Sequence, residues 1–154
     1  MPATDQIEAC KDVVVGFCTA INDWDTVRCI LGRIENGQYL IGLQREAVEG
    51  ITVEDHNKKH VSIFQQFVVP QERKFGSNPG SPTSWGTGGS FFDVDRDSID
   101  SVEFPTDDRA EIVAPWGYQL PGGSTMFVLS RTNGSWLIDN LKIRGDDCWE
   151  DAHL

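Results

Sequence analysis

The chain has 154 residues, of which 13 are lysine or arginine and 24 are aspartate or glutamate, giving a formal net charge of −11. Such a charge opposes binding to nucleic acid or to an anionic membrane surface, and it favours a basic protein partner. The hydrophobic fraction of 39% suits one globular domain over residues 1–154, and no apolar run approaches the roughly 20 residues of a membrane span.

Two features of the sequence predict a cytoplasmic protein. The opening segment, MPATDQIEAC, contains no basic stretch followed by an apolar stretch, so we expect no signal peptide. The four cysteines, Cys10, Cys18, Cys29 and Cys148, form no CxxC pair and are too few for a disulfide-stapled scaffold. We therefore expect free thiols in a reducing compartment.

The first predicted element is a helix from about Thr4 to about Ile30. Apolar residues recur in it at steps of four and three, which places them on one face. They are Cys10, Val14, Phe17, Ile21 and Trp24. Thr4 or Asp5 is suited to cap its start, and the polar pair Asn22-Asp23 predicts a break or a bend.

A second helix is predicted from about Val53 to about Val69. It follows a glycine-punctuated loop over Gly32–Thr52 that holds one short element at Tyr39–Gln44. Thr52 is the predicted cap, and Pro70 ends the helix because the residue before a proline is pushed out of the helical region. The predicted core face comprises Val53, Val61, Phe64, Phe67 and Val68.

The remainder of the chain has the pattern of short strands. The stretch Gln71–Gly89 is rich in glycine, proline and serine and is predicted to be a loop. Strand candidates follow at Ser90–Val94, Ile99–Phe104 and Arg109–Ala114. The last ten residues, 145–154, form an acidic tail.

The strongest local signal is Asn133-Gly134, a dipeptide between two apolar runs. It tolerates the positive φ angles that a two-residue type I′ hairpin turn requires. The turn also predicts the register, with Leu129 opposite Ile138 and Val128 opposite Asp139.

Strand alternation gives this hairpin, which spans Thr125–Arg144, two largely apolar faces. Phe127, Leu129, Trp136 and Ile138 share one face, and Met126, Val128, Leu137, Leu141 and Ile143 share the other. We therefore expect the hairpin to lie at the centre of a sheet with something packed on each side.

Two amphipathic helices followed by a run of antiparallel strands predict an α+β fold. We expect a cone-like form of it, in which the N-terminal helices pack on a strongly curved antiparallel sheet. Its core is predicted to cover residues 5–144, and the acidic tail lies outside that core.

Two histidines are candidate metal ligands. His56 and His60 lie four residues apart on the second predicted helix, a spacing that can place two imidazoles on one ion. A metal site needs three or four ligands, and the only other histidine is His153. The alternative is a solvated helix face beside Lys58 and Lys59, and we expect no metal and no cofactor.

Asp139 is the candidate catalytic acid or base, because it is a carboxylate among apolar residues in the middle of a predicted strand. A cavity on that face would raise its pKa by desolvation and suit it to act as a general base. The alternative is an ion pair with a nearby lysine or arginine, or access to solvent at an irregular strand edge.

Five stretches, in this order, carry a resemblance to a known family. They are AINDWD at 20–25, SIFQQFVVPQERKFG at 62–76, DSIDSVEF at 97–104, RAEIVAP at 109–115 and FVLSRTNGSWLIDNLK at 127–142. Together they resemble the immunity proteins of nuclear transport factor 2 fold. The resemblance implies a cone-shaped domain, encoded beside a bacterial polymorphic toxin, that binds the toxin non-covalently and blocks it in the producing cell. That family has no catalytic motif to carry over.

Two other functions stay open for this fold. It also hosts small-molecule isomerases, dehydratases and cyclases, and a cavity enzyme here would use Asp139, Tyr118, His56 and His60. The third possibility is a dimerisation module that uses the outer face of the sheet.

The candidate toxin-binding residues combine carboxylates with tryptophans. Many toxins of these systems are nucleases with basic substrate grooves, so an acidic protein can take the place of the nucleic acid. The carboxylates are Asp146, Asp147, Glu150 and Asp151, and the aromatic anchors are Trp149, Trp85 and Trp116. The alternative is that the charge only keeps the protein soluble.

Overall fold

The computed structural model of the protein describes residues 3–37, 42, 45–46, 48–71, 94–116, 123–144 and 148–152. These residues form two helices, α1 (Thr4–Glu35) and α2 (Val53–Phe67), and the strands β1 (Ser101–Thr106), β2 (Arg109–Trp116), β3 (Gly123–Thr132), β4 (Ser135–Arg144) and β5 (Glu150–Asp151). The five strands make one antiparallel sheet in chain order, and both helices contact it. The α+β class is therefore confirmed.

Helix α1 is longer than predicted and unbroken. It continues past Ile30 to Glu35 without the break predicted at Asn22-Asp23. The next residues, Trp24 and Asp25, are both buried, so tertiary packing holds the helix through this polar pair. The predicted apolar stripe is confirmed, because all of its members are buried.

The start of α1 also differs from the prediction. The N-cap is Ala3, which makes no side-chain cap hydrogen bond. The Asp5 carboxylate instead accepts from the amide of Gln6 at 3.0 Å, inside the first turn. A carboxylate there is favourable because the helix dipole makes the N-terminus partly positive.

Helix α2 begins as predicted and ends two residues early. The Thr52 hydroxyl accepts from the amide of Asp55 at 3.1 Å, which confirms the cap. After Phe67 the chain is extended, and Val68 pairs in parallel with Ile138 of β4. Pairing with β4 therefore ends the helix before the chain reaches Pro70. The short element predicted at residues 39–44 lies outside the described residues apart from Gly42.

The two helices contact each other closely at Gly16. A Cβ atom built on Gly16 would lie 2.8 Å from Cε1 of Phe67, so the absence of a side chain admits the ring. Phe17 packs edge-on against both Phe64 and Phe67, with ring centroids 5.8 and 6.4 Å apart. This aromatic contact joins α1 to the C-terminal half of α2.

The predicted hairpin is confirmed at its turn. Asn133 and Gly134 have φ angles of 52° and 80°, and Arg131 lies opposite Trp136 as the turn requires. The pairing of Leu129 with Ile138 is also confirmed.

The register changes beyond that pair. Val128 lies opposite Asn140, not opposite Asp139 as predicted, because a β-bulge adds one residue to β4. Leu141 consequently pairs with Phe127 and is buried in the core, so the prediction that it shares a face with Leu137 is wrong.

The first two strands are shifted or extended relative to their predictions. β1 covers Ser101–Thr106 where Ile99–Phe104 was expected, and β2 runs two residues beyond Ala114. The strand predicted at residues 90–94 lies outside the described part apart from Val94, which is buried and not in a strand. The predicted loop over residues 71–89 is described only at Gln71.

The hydrophobic core lies between the helices and one face of the sheet. From the sheet it includes Ala110, Ile112, Ala114, Phe127, Leu129, Trp136, Ile138 and Leu141. On the opposite face, Val113, Met126 and Leu137 are half-buried. In the described part of the chain, neither helix combines the length and apolar character needed to cross a membrane.

Candidate functional site

The acidic tail, predicted to bind a toxin, is described over residues 148–152 and adds a strand to the sheet. β5 pairs antiparallel with β4, and the amide of Ala152 donates to the carbonyl of Leu141 at 2.9 Å. The side chains of Glu150 and Asp151 are exposed. The tail thus presents carboxylates from an ordered sheet edge.

Contacts with β4 also hold the aromatic residue of this tail. The Arg144 guanidinium lies 4.6 Å from the centroid of the Trp149 ring, a cation–π geometry. Asn140 donates from its side chain to the Asp151 carboxylate at 3.0 Å. Trp149 stays half-buried, so part of its ring is available to a partner.

The other candidates cannot be placed beside this strand. Asp146, Asp147 and Trp85 lie outside the described residues, and Trp116 ends β2 with its side chain outside the description. The structure therefore brings together Trp149, Glu150 and Asp151 (the β5 acidic edge).

A second acidic surface, which sequence reasoning missed, lies along β1 at the other edge of the sheet. Glu103 on the strand and Asp107 and Asp108 in the turn after it are exposed, as is Asp100 before it. The signal was present in DSIDSVEFPTDD at residues 97–108, where acidic residues recur through a strand and its turn.

Many of the cations in the described residues contact carboxylates or aromatic rings of the same chain. Salt bridges engage Lys11, Arg28, Lys58, Arg96 and Arg109. Arg131 lies 5.9 Å from the Trp136 ring centroid, much as Arg144 lies over Trp149. These contacts occupy positive groups internally, while acidic side chains at both sheet edges face solvent.

Asp139, the candidate catalytic carboxylate, is the extra residue at the bulge and has hydrogen-bond donors on both oxygens. The Ser130 hydroxyl donates to one oxygen at 2.8 Å, and the Gln71 amide donates to the other at 2.7 Å. Gln71 also donates to the Asp139 backbone carbonyl at 3.0 Å. The two hydrogen bonds from Gln71 hold the segment after α2 against β4.

Among the catalytic candidates, His56 and Asp139 lie towards opposite ends of α2. α2 has 15 residues, about 22 Å at a rise of 1.5 Å per residue. His56 lies in its first turn, whereas Asp139 is bonded to Gln71, just beyond its last turn. Tyr118 lies outside the described residues.

His56 and His60 are buried against Trp24 of α1, so the predicted solvated helix face is wrong. The Trp24 indole N–H donates to the His56 carbonyl at 2.8 Å, and His56 Nε2 lies 2.8 Å from the Trp24 carbonyl. The Trp24 and His56 rings are stacked with centroids 5.0 Å apart. We call Trp24, His56 and His60 the Trp24–histidine cluster.

His60 completes the cluster between two aromatic rings. Its centroid is 4.7 Å from that of Trp24 and 4.5 Å from that of Phe64. Burial, together with the smaller effect of the neighbouring His56, lowers the pKa of His60 to about 4. Burial also lowers the pKa of His56, against the opposing effect of its hydrogen bond to Trp24.

The described residues contain no group of three or more histidine, cysteine or carboxylate side chains placed to hold a metal ion. Comparisons of the chain with protein-family models, with curated proteins and with solved structures find no match.

Proposed function

We propose that this protein is an immunity protein that binds a basic bacterial toxin non-covalently and one-to-one in the cytoplasm of the producing cell. It acts without catalysis, by covering a functional surface of the toxin. The proposal includes the cone-like curvature of the sheet around the helices, which the resemblance to immunity proteins implies.

The single observation that carries the proposal is the arrangement of the β5 acidic edge. Glu150 and Asp151 are exposed, while main-chain pairing to β4 fixes their backbone. Trp149 is held half-exposed beside them by Arg144. A preorganised interface loses less conformational entropy on binding, and tryptophan within a polar rim is a frequent energetic hot spot.

The charge distribution supports the same partner chemistry. The net charge is −11, and internal contacts occupy many of the described cations. Such a field accelerates encounter with a basic groove, and the acceleration falls as salt screens it.

The test measures association and dissociation rates with the protein encoded immediately upstream, after the two are shown to copurify. The variant Glu150→Lys with Asp151→Lys is compared with a control, Glu46→Lys with Glu49→Lys. The control makes the same charge change at exposed positions between α1 and α2 in the sequence. We expect the β5 variant to slow association by at least about tenfold at low salt and the control by much less.

Two results would contradict the proposal. If both variants slow association equally, only net charge matters and the β5 acidic edge is not the interface. If the upstream protein does not bind, or association is indifferent to salt, the partner is not a basic toxin. Denaturation curves of both variants establish that each is folded.

A further inference from the structure

We propose that the Trp24–histidine cluster is an acid-sensitive contact: it stabilises the packing of α1 against α2 near neutral pH and breaks in mildly acidic solution. The proposal is independent of any partner, because every contact lies within the cluster and the two helices that carry it.

The hydrogen bonds determine which nitrogen of His56 carries the proton. The Trp24 carbonyl can only accept, so His56 Nε2, 2.8 Å away, must carry its hydrogen. In the neutral ring Nδ1 then has a lone pair and no hydrogen. His56 is 2% exposed, and Nδ1 has no hydrogen-bond partner among the described residues.

Protonation of His56 therefore creates a buried N–H with nothing described to accept it, on a ring that now carries a charge. Both consequences are unfavourable in a desolvated site. The ring lies flat against Trp24, with an interplanar angle of 2°, and the indole N–H of the same tryptophan is bonded to the His56 backbone. Turning the ring to find an acceptor breaks its bond to the Trp24 carbonyl.

Protonation of His60, one helical turn later, is unfavourable for the same reasons. It is 3% exposed, its Nε2 has no partner among the described residues, and it lies between the rings of Trp24 and Phe64. A charge on His56 also opposes a charge on His60.

The charged groups around the cluster come from both helices. Lys59 of α2 and Arg28 of α1 both oppose a positive charge on His56. Asp25 of α1 is the buried carboxyl next to Trp24 in the sequence. Burial and these two cations make His56 bind a proton less readily in the folded protein than in the unfolded protein.

The sign of the pH effect follows. The pKa of both histidines is lower in the folded chain than the ordinary value of 6.5. Stability from the cluster is thus complete above pH 6.5 and is lost as pH falls from there towards the folded values. Each proton taken up on unfolding raises the unfolding equilibrium constant by about tenfold per pH unit.

The experiment is urea unfolding of the full chain between about pH 7.5 and about pH 5, where histidines and few other groups titrate. The double variant His56→Gln with His60→Phe removes both titrations. Its glutamine amide can donate to the Trp24 carbonyl, and its phenylalanine can occupy the aromatic stack. His153→Gln is the matched control.

We expect the wild type and the control to lose stability in acid, with the unfolding constant rising about ten- to a hundredfold per pH unit below pH 6. The double variant should be nearly flat. Hydrogen exchange of α2 amides, corrected for intrinsic rates, should accelerate in acid in the wild type and not in the double variant. Should the double variant fail to fold, His60→Phe alone should still reduce the wild-type slope by about half.

Two findings would overturn the proposal. One is a wild type whose unfolding constant does not change over this range. The other is a variant lacking the histidines that keeps the full acid dependence, which would assign it to carboxylates elsewhere.

Discussion

The β-bulge in β4 decides on which side of the sheet Leu141 lies, and this can be tested with two leucines. A regular hairpin would put Leu137 and Leu141 on the same face, because they are four residues apart on one strand. The bulge separates them, leaving Leu141 1% exposed in the core and Leu137 half-buried on the opposite face. The perturbation is Leu141→Ala, with Leu137→Ala as its matched control.

The expected costs are well separated. Truncating a fully buried leucine removes its transfer free energy and leaves a cavity, for about 2–5 kcal/mol. Phe127, the cross-strand partner of Leu141, is rigid and itself buried, so the site cannot collapse easily and about 3 kcal/mol is expected. Leu137→Ala leaves no enclosed cavity among the described residues and should cost about 1 kcal/mol or less.

The assay is urea denaturation with thermal unfolding as a second measure. For a chain of 154 residues, about 3 kcal/mol lowers Tm by about 6–12 °C, and about 1 kcal/mol lowers it by about 2–4 °C. Equal losses for the two variants, or a larger loss for Leu137→Ala, would refute the bulged register and restore the regular one.

Three further outcomes are expected. Gly134→Val should destabilise the protein by about 1–2 kcal/mol in denaturant titration, because the backbone there has a φ of 80° that a β-branched residue adopts poorly; an unchanged midpoint would speak against the type I′ turn. Thr52→Ala should cost about 1 kcal/mol in the same assay through loss of the α2 cap, and no loss would mean that the cap is replaced. Exposed Cys148 should react with an alkylating agent in the native protein. Buried Cys10 and Cys18 should react only after unfolding, since burial raises the pKa of both thiols, that of Cys10 to about 11; rapid native labelling of either, read by mass spectrometry, would contradict their burial.

Local chemistry made part of this fold predictable. Asn133-Gly134 determines a turn geometry, and a turn determines the register of the residues next to it. The prediction held to Leu129 and Ile138 and failed at Asp139, where the bulge begins. A bulge reflects contacts across the fold, here the bonds that Ser130 and Gln71 make to the Asp139 carboxylate, and Gln71 is remote in sequence.

The Trp24–histidine cluster was missed for a different reason. Histidine was assigned to the polar side of α2, so the core face was sought among aliphatic and aromatic residues alone. Spacing contains the correct answer, because His56, His60, Phe64 and Phe67 recur at steps of four and three, as the stripe on α1 does. A neutral imidazole with one satisfied nitrogen can be buried, and Trp24 supplies the acceptor that makes this possible.

The strand at the end of the chain could not be predicted from propensity, since glutamate and aspartate are depleted in strands. β5 forms because β4 has buried residues and main-chain groups that need partners along its free edge. Val69 donates to the carbonyl of Ile138, Gln71 to that of Asp139 and Ala152 to that of Leu141, so two distant segments supply donors to three carbonyls of β4. With β5 paired to β4, the outermost strand on this side of the sheet is the one that contains Glu150 and Asp151.

Carboxylates at both edges of the sheet, β1 and β5, have a physical consequence that does not depend on a toxin. Like charges on an exposed edge oppose its pairing with the same edge of another molecule, and the proline at position 105 in β1 adds to this protection. The two roles make different demands on Trp149, because edge protection gains nothing from a half-exposed aromatic ring, whereas a binding surface does. Truncating Trp149 to alanine should therefore leave self-association unchanged but should speed dissociation from the proposed toxin. If toxin dissociation is unchanged while Glu150→Lys with Asp151→Lys still slows association, the β5 acidic edge steers encounter and another surface holds the partner.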